Sequence, residues 1–126
     1  MRPAAVFAYG TLKAGERYAH VAEGAGLTHR VPARAEGLVL YQLPQGYPAA
    51  VPGAGRVLGE LLYFADLERA LKVLDAFEEP PYRRVPLRVE AETGPVWAWV
   101  YVYPNAEAAL GQGGRRLDAE VWSGAL

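Results

Sequence analysis

Val96-Trp97-Ala98-Trp99-Val100-Tyr101-Val102-Tyr103 decides the architecture. Side chains alternate across a strand, so Trp97, Trp99, Tyr101 and Tyr103 share one face and Val96, Ala98, Val100 and Val102 the other. Neither face is polar. A strand that is apolar on both sides is the centre of a covered sheet, or a barrel wall packed on its outside. Its tyrosines can line a pocket, or simply pack with the hydroxyl near the surface. Upstream, Tyr82 to Glu92 alternates in half-buried fashion, with Val85, Leu87 and Val89 inward and Arg84, Pro86, Arg88 and Glu90 outward. Thr93-Gly94 between the two runs predicts a hairpin turn.

Before this hairpin, the spacing predicts a helix over Asp66 to Glu78. Asp66 is a good N-cap, and Leu67, Ala70, Leu71, Leu74 and Phe77 fall on one face. Pro80 and Pro81 end it, because a proline pushes its predecessor out of the α region. At about 100° per residue, Glu78 lands about 20° from Leu67 and so points into the apolar stripe. Glu79 falls toward Glu68 and Lys72 on the wet side. A buried carboxyl is costly unless bonded or neutral, and desolvation raises its pKa toward the range of a general base. A frayed helix end would instead let Glu78 reach water.

The opening stretch Val6 to Gly15 reads as a short buried strand, Ala5 to Tyr9, stopped by Gly10. Such a break can turn successive N–H groups toward one point as an anion nest. Thr11 adds a hydroxyl and Lys13 a positive charge. The motif is neither a P-loop nor Gly-x-Gly-x-x-Gly. Glu16 to Glu23 reads as a helical turn or irregular connection, with His20 as a surface or capping residue. Thr28 to Arg34 reads as a strand kept near an edge by Pro32, and Gly37 to Tyr41 as another. Pro44 to Gly55 reads as a long fixed loop containing Tyr47-Pro48-Ala49-Ala50-Val51. Val57 to Phe64 is a further strand, whose Glu60 is a candidate catalytic acid, although one carboxylate in a mixed strand is more often solvent-facing or paired. Leu117 to Trp122 is expected to dock as a turn or short helix.

Composition narrows the classes. The 126 residues are 52% apolar and 21% charged, which suits one globular domain with a real core. A net charge of −1 with scattered basic residues argues against a nucleic-acid partner. There is no cysteine, hence no disulfide, thiolate metal site or cysteine nucleophile. His20 and His29 lack the i, i+4 spacing of a helical metal pair. No run approaches the ~20 residues of a membrane span, and no signal-peptide pattern opens the chain. A cytoplasmic, membrane-free protein is the expectation.

Three pieces then line up. Tyr9-Gly10-Thr11-Leu12-Lys13-Ala14-Gly15, with His20 beyond it, resembles the opening signature of the γ-glutamylcyclotransferase-like superfamily. The nearest branch is that of γ-glutamylamine cyclotransferase and the AIG2-like proteins. Gly37 to Tyr41, Tyr47-Pro48-Ala49 and Val57-Leu58-Gly59-Glu60-Leu61 are similar to its middle. Leu74-Asp75-Ala76-Phe77-Glu78, then Tyr82-Arg83-Arg84-Val85, resembles the segment that bears the family's catalytic glutamate. The resemblance runs in order over residues 5 to 103.

It implies an α+β fold, a small mixed β-barrel flanked by helices, with a cavity at one mouth. It also implies cyclisation of a γ-glutamyl amine or peptide to 5-oxoproline. Glu78 would be the catalytic base and acid, and Tyr9, Gly10, Thr11 and Leu12 would bind the small-molecule substrate. The attacking nucleophile is the substrate's own α-amine, so the reaction needs positioning and proton transfer, with no metal and no cofactor. The rival expectation is a protein that binds a small anionic metabolite in the same cavity without turnover. One departure stands out. The family usually has glycine after the catalytic glutamate, whereas this chain has Glu79-Pro80-Pro81, which bears on the turn and on the tolerated substrate. The leaving amine and the oligomeric state are not legible in the sequence.

Overall fold

The computed structural model describes residues 2–124. Its centre is a four-residue strand, Ala5–Ala8 (β1), buried along its whole length. One edge of β1 pairs antiparallel with Pro48–Phe64 (β3), Val6 opposite Leu62. The other pairs parallel with Gly94–Val102 (β5), Val6 opposite Trp99. From β5 the ladder runs antiparallel to Arg83–Ala91 (β4), then to Leu27–Gln42 (β2), and β2 pairs with β3. The order β3-β1-β5-β4-β2 with β2 returning to β3 is a closed five-stranded mixed barrel. The double-sided strand is therefore barrel wall. Two-residue β6, Arg115–Arg116, pairs with the far end of β2 at Tyr41 and Gln42.

Alternation divides the apolar side chains into layers. Phe7, Ala35, Val57, Leu61, Val89, Ala98 and Val100 belong to the cluster that fills the barrel. Their neighbours Val6, Ala8, Leu62 and Tyr101 face outward and are covered by helices. Ala19–Gly24 (α1) and Leu67–Phe77 (α2) provide that cover, with Ala22 and Leu74 fully buried. Asp66 caps α2 as expected, its side chain accepting from the Arg69 N–H at 3.2 Å. A third cluster, around Tyr41, Leu43, Ala49 and Tyr103, packs on Ala106–Gly111 (α3), a helix that sequence periodicity did not single out.

Two expectations need correction. Pro44 to Gly55 is mostly strand, since β3 starts at Pro48 and the connecting loop is only residues 43–47. Its glycines and prolines belong to a bend in a long hairpin. Glu36 pairs with Arg56 but Leu38 with Pro52, so Gly37, at φ 82°, stands opposite three residues of β3. Backbone pairing on the partner strand overrides the loop-like composition. Leu117 to Trp122 does dock, but without a helix. Leu117 N–H donates to Leu40 O, Glu120 O accepts from Leu58 N–H, and the buried Trp122 indole donates to Gln42 at 2.8 Å. The edge reading of Pro32 agrees with the pairing: from Leu27 to Pro32, β2 has β3 alone as a neighbour among the described residues.

Barrel closure depends on close contact at one point. A Cβ on Gly59 of β3 would lie 2.3 Å from Ala8 O and 3.0 Å from the Phe7 ring. Gly59→Ala should therefore destabilise by roughly 1–3 kcal/mol or more, lowering Tm by roughly 5–10 °C. Gly24→Ala, where a Cβ meets nothing within 4 Å, should leave Tm unchanged or raise it slightly. Calorimetry on both variants decides; a silent Gly59→Ala would show that the strands are not in this contact.

Candidate active site

The chain leaves the barrel at the end of β1, and residues 9–15 turn over its mouth. The four carbonyls from Gly10 to Lys13 each have a partner. Gly10 O accepts from Lys13 N–H at 3.1 Å, Thr11 O from Tyr18 N–H at 2.9 Å, and Lys13 O from Glu16 N–H at 3.1 Å. Leu12 O accepts from the Arg30 guanidinium at 2.9 Å. In a trans peptide the carbonyl and the following N–H point in opposite directions. The N–H groups of Thr11 and Leu12 are thus turned away from those partners. No turn, cap or side-chain hydrogen bond engages the N–H of Gly10, Thr11 or Leu12 among the described residues.

Gly10 is not in the left-handed region; Gly15, at φ 80°, is. What excludes a side chain at Gly10 is Pro48, whose Cγ would lie 2.7 Å from a Cβ there. Lys13 does not serve the pocket. Its Nζ reaches away to Trp122 O at 2.6 Å, so the positive charge expected beside the turn is engaged in pinning the C-terminal segment.

Opposite the turn, a cavity of about 260 Å³ opens between residues 7–12, Tyr18, Tyr47, Pro48, the end of α2 and Tyr82. Tyr9, Gly10, Thr11, Leu12 and Glu78 all border it. The helix phase does not carry Glu78 there. The last helical residue is Phe77, and Glu78 is already extended at φ −79°, ψ 124°, its N–H still bonded to Leu74 O. A cis Pro80–Pro81 bond follows. Glu78 is half-buried and Glu79 exposed, yet Glu79 also borders the cavity. Glu79 is thus exposed as its wet-side placement expects, but the helix phase did not foresee that it also borders the cavity, because the helix ends at Phe77.

The Glu78 carboxyl makes no hydrogen bond or ion pair to a described residue, and no Lys, Arg or His lines the cavity. Burial pushes its pKa from 4.5 up to about 7. The surrounding phenols are poor sources of charge. Burial raises Tyr9, Tyr82 and Tyr101 well above the usual phenol range. Their hydroxyls are also engaged. Tyr9 donates to Tyr101 O at 2.6 Å and accepts from Ala50 N–H at 3.1 Å, and Tyr82 donates to Pro48 O. Tyr101 donates to Asp75 at 2.7 Å, where Arg84 is bidentate at 2.8 and 3.0 Å. Burial would raise Asp75, but those hydrogen bonds outweigh it and hold the carboxyl below its ordinary value.

Tyr82, Tyr18 and Phe77 were not legible as pocket residues. Tyr18 meets Phe77 edge-on at 5.1 Å, and Tyr82 meets Tyr103 edge-on at 4.6 Å. The Pro-Pro-Tyr sequence after Glu78 was the one available signal. His20 is exposed, and Glu60 is paired with Arg30 at 2.9 Å. No group of three or more His, Cys, Asp or Glu able to hold a metal occurs among the described residues.

The model of the family described as gamma-glutamyl cyclotransferase, AIG2-like, matches residues 6–124. The chain belongs to that family. Among solved structures it is similar to an AIG2-like protein of Mus musculus, at 25% identity and a TM-score of 0.78, covering 98% of this chain and 90% of that one. It is also similar to YkqA of Bacillus subtilis, at 22% identity and 0.69, covering 96% of this chain and 40% of that one. A Pyrococcus horikoshii protein matches at 24% and 0.63, over 92% and 86%. No curated protein matches. The α+β barrel, flanked by three helices among the described residues, is the fold of this AIG2-like family.

In the family member described here, the raised Glu78 pKa has a signed consequence for stability. A carboxyl whose folded-state pKa lies above its unfolded value stabilises the fold fully below about pH 4.5. That contribution is lost as pH rises through about 7. Relative to Glu78→Gln, which does not titrate, the parent should lose on the order of 2–3 kcal/mol between pH 5 and 8. Denaturant titrations of both proteins at the two pH values measure this. A pH-independent difference would place the Glu78 carboxyl in water.

Proposed function

We propose that the protein cyclises a γ-glutamyl amine or peptide to 5-oxoproline and releases the amine. One observation carries the reading: an unpaired, partly desolvated Glu78 carboxyl shares a cation-free pocket with the free N–H groups of Gly10 to Leu12. An α-carboxylate entering this pocket finds main-chain donors and the hydroxyls of Thr11, Tyr18 and Tyr47 to hold it. With the carboxylate held on the turn, the α-nitrogen and the γ-carbonyl of the same molecule are brought together, which removes much of the entropic barrier.

Glu78 takes a proton from the α-ammonium, and the freed amine attacks the γ-carbonyl carbon. The C–N bond of the ring forms as the bond to the leaving nitrogen breaks. The proton held by Glu78 passes to that nitrogen, the regenerated carboxylate takes the second proton from the ring nitrogen, and that proton departs with the amine in its ammonium form. A pKa near 7 suits both transfers. N–H groups of the turn are placed to steady the developing oxyanion. The substrate is a small molecule, and the compartment we propose is the cytoplasm; no helix among the described residues is long and apolar enough to cross a membrane. A second reading, a binding protein for an anionic metabolite, draws support from Glu79, a charge at the pocket where the family's glycine is expected.

Release of 5-oxoproline from a panel of γ-glutamyl compounds tests turnover. Glu78→Gln should cost ~10²–10⁴-fold in kcat/KM with the fold intact, since an amide cannot accept the ammonium proton. Glu79→Gln should stay within a few-fold. The parent's kcat/KM should rise with pH as Glu78 deprotonates near 7. Binding of 5-oxoproline without any turnover would favour the second reading, and equal activity of Glu78→Gln and the parent would remove Glu78 as the base.

A further inference from the structure

The turn that presents the free N–H groups is held from behind by one charged pair. Arg30 of β2 directs Nη1 to Leu12 O at 2.9 Å and to Glu60 Oε1 at 2.9 Å. The same Glu60 oxygen accepts the Ala14 N–H at 3.0 Å. The pair is largely enclosed, with side chains 16% and 24% exposed. The other nitrogen, Nη2, is buried without a hydrogen bond, 3.9 Å from Glu23. A partly desolvated ion pair is weak evidence of a stabilising role, because apolar replacements often serve stability as well. Here both members reach out of the sheet to the main chain of one turn.

The peptide planes show what this fixes. Leu12 O and Lys13 N–H belong to one plane, so the Arg30 contact sets the direction of the Lys13 N–H. That N–H is the donor to Gly10 O, which orients the plane carrying the Thr11 N–H. Glu60 fixes the following plane through Ala14. Arg30 thus sets the Thr11 N–H through two successive hydrogen bonds, without itself lining the cavity.

We propose that Arg30, backed by Glu60, is a positioning residue for the carboxylate of the substrate; this rests on the pocket reading given under Proposed function. Its contribution is to binding that is equal in ground and transition state, so its loss raises KM and spares kcat. Arg30→Met should raise KM, and the Kd for 5-oxoproline, roughly tenfold while kcat stays within about threefold. Arg30→Lys keeps the charge but not the planar fork, and should fall between. A merely structural loss would reduce the active fraction, lowering apparent kcat with KM unchanged.

Amide hydrogen exchange of Lys13 and Ala14 in the ligand-free proteins gives a readout that does not depend on turnover. It should be at least about tenfold faster in Arg30→Met. If the parent cyclises γ-glutamyl compounds but Arg30→Met keeps KM, 5-oxoproline affinity and exchange near parental values, this inference fails and the functional reading stands. If the parent turns nothing over, the functional reading fails, and exchange alone decides whether Arg30 holds the turn. Should Arg30→Met not fold, Arg30→Lys indistinguishable from the parent in both KM and exchange overturns the inference.

Discussion

Everything in this molecule depends on β1 being enclosed on all sides. Four residues, Ala5 to Ala8, pair with β3 on one edge and β5 on the other. Phe7 enters the barrel while Val6 and Ala8 pack under the helices. A strand so short cannot hold itself; it is placed by both ladders and both cores at once. Gly59 allows β3 to approach closely enough for the ring to close. Because β1 ends at the mouth of that ring, the turn after it has a fixed origin, and its carbonyls from Gly10 to Lys13 find fixed partners.

The electrostatics of the site follow from what the scaffold consumes. Lys13 is engaged by Trp122, Arg30 by Glu60 and Leu12, and Arg84 by Asp75. The nearby cations are therefore committed to structure, and Glu78 is left in a cavity of tyrosine rings and main-chain donors. Desolvation without a counter-charge raises a carboxyl. Burial alone therefore lifts the Glu78 carboxyl to about 7, with no dedicated partner required.

Much of this was legible along the chain. Apolar residues on both faces of residues 96–103 implied a covered central strand or a barrel wall, the Asp66 cap and apolar stripe implied α2, and Thr93-Gly94 implied the turn between β4 and β5. These signals are local: a period, a cap or a turn residue acts within a few positions of itself. Ordered motifs from Tyr9 to Tyr82 pointed to the family that the chain belongs to. The proline- and glycine-rich run of residues 44–55 misled, because its composition suits a loop while backbone pairing with β2, which directly precedes it, draws most of it into a hairpin.

What only the tertiary structure decided concerns groups brought together from distant positions. The helix periodicity pointed Glu78 inward, but the chain reaches the cavity by leaving the helix at Phe77, and Glu79 borders the same space. Glycine at position 10 looked like a conformational choice and proved to be room for Pro48. Arg30 and Glu60 are thirty residues apart along the chain, and no local pattern links them, yet both bond to the turn. The sequence by itself determined the elements and the residue types at the site, since those depend on propensity and alternation. Which donors stay free, and which charges are already taken, depends on the closure of the barrel, which no local pattern encodes.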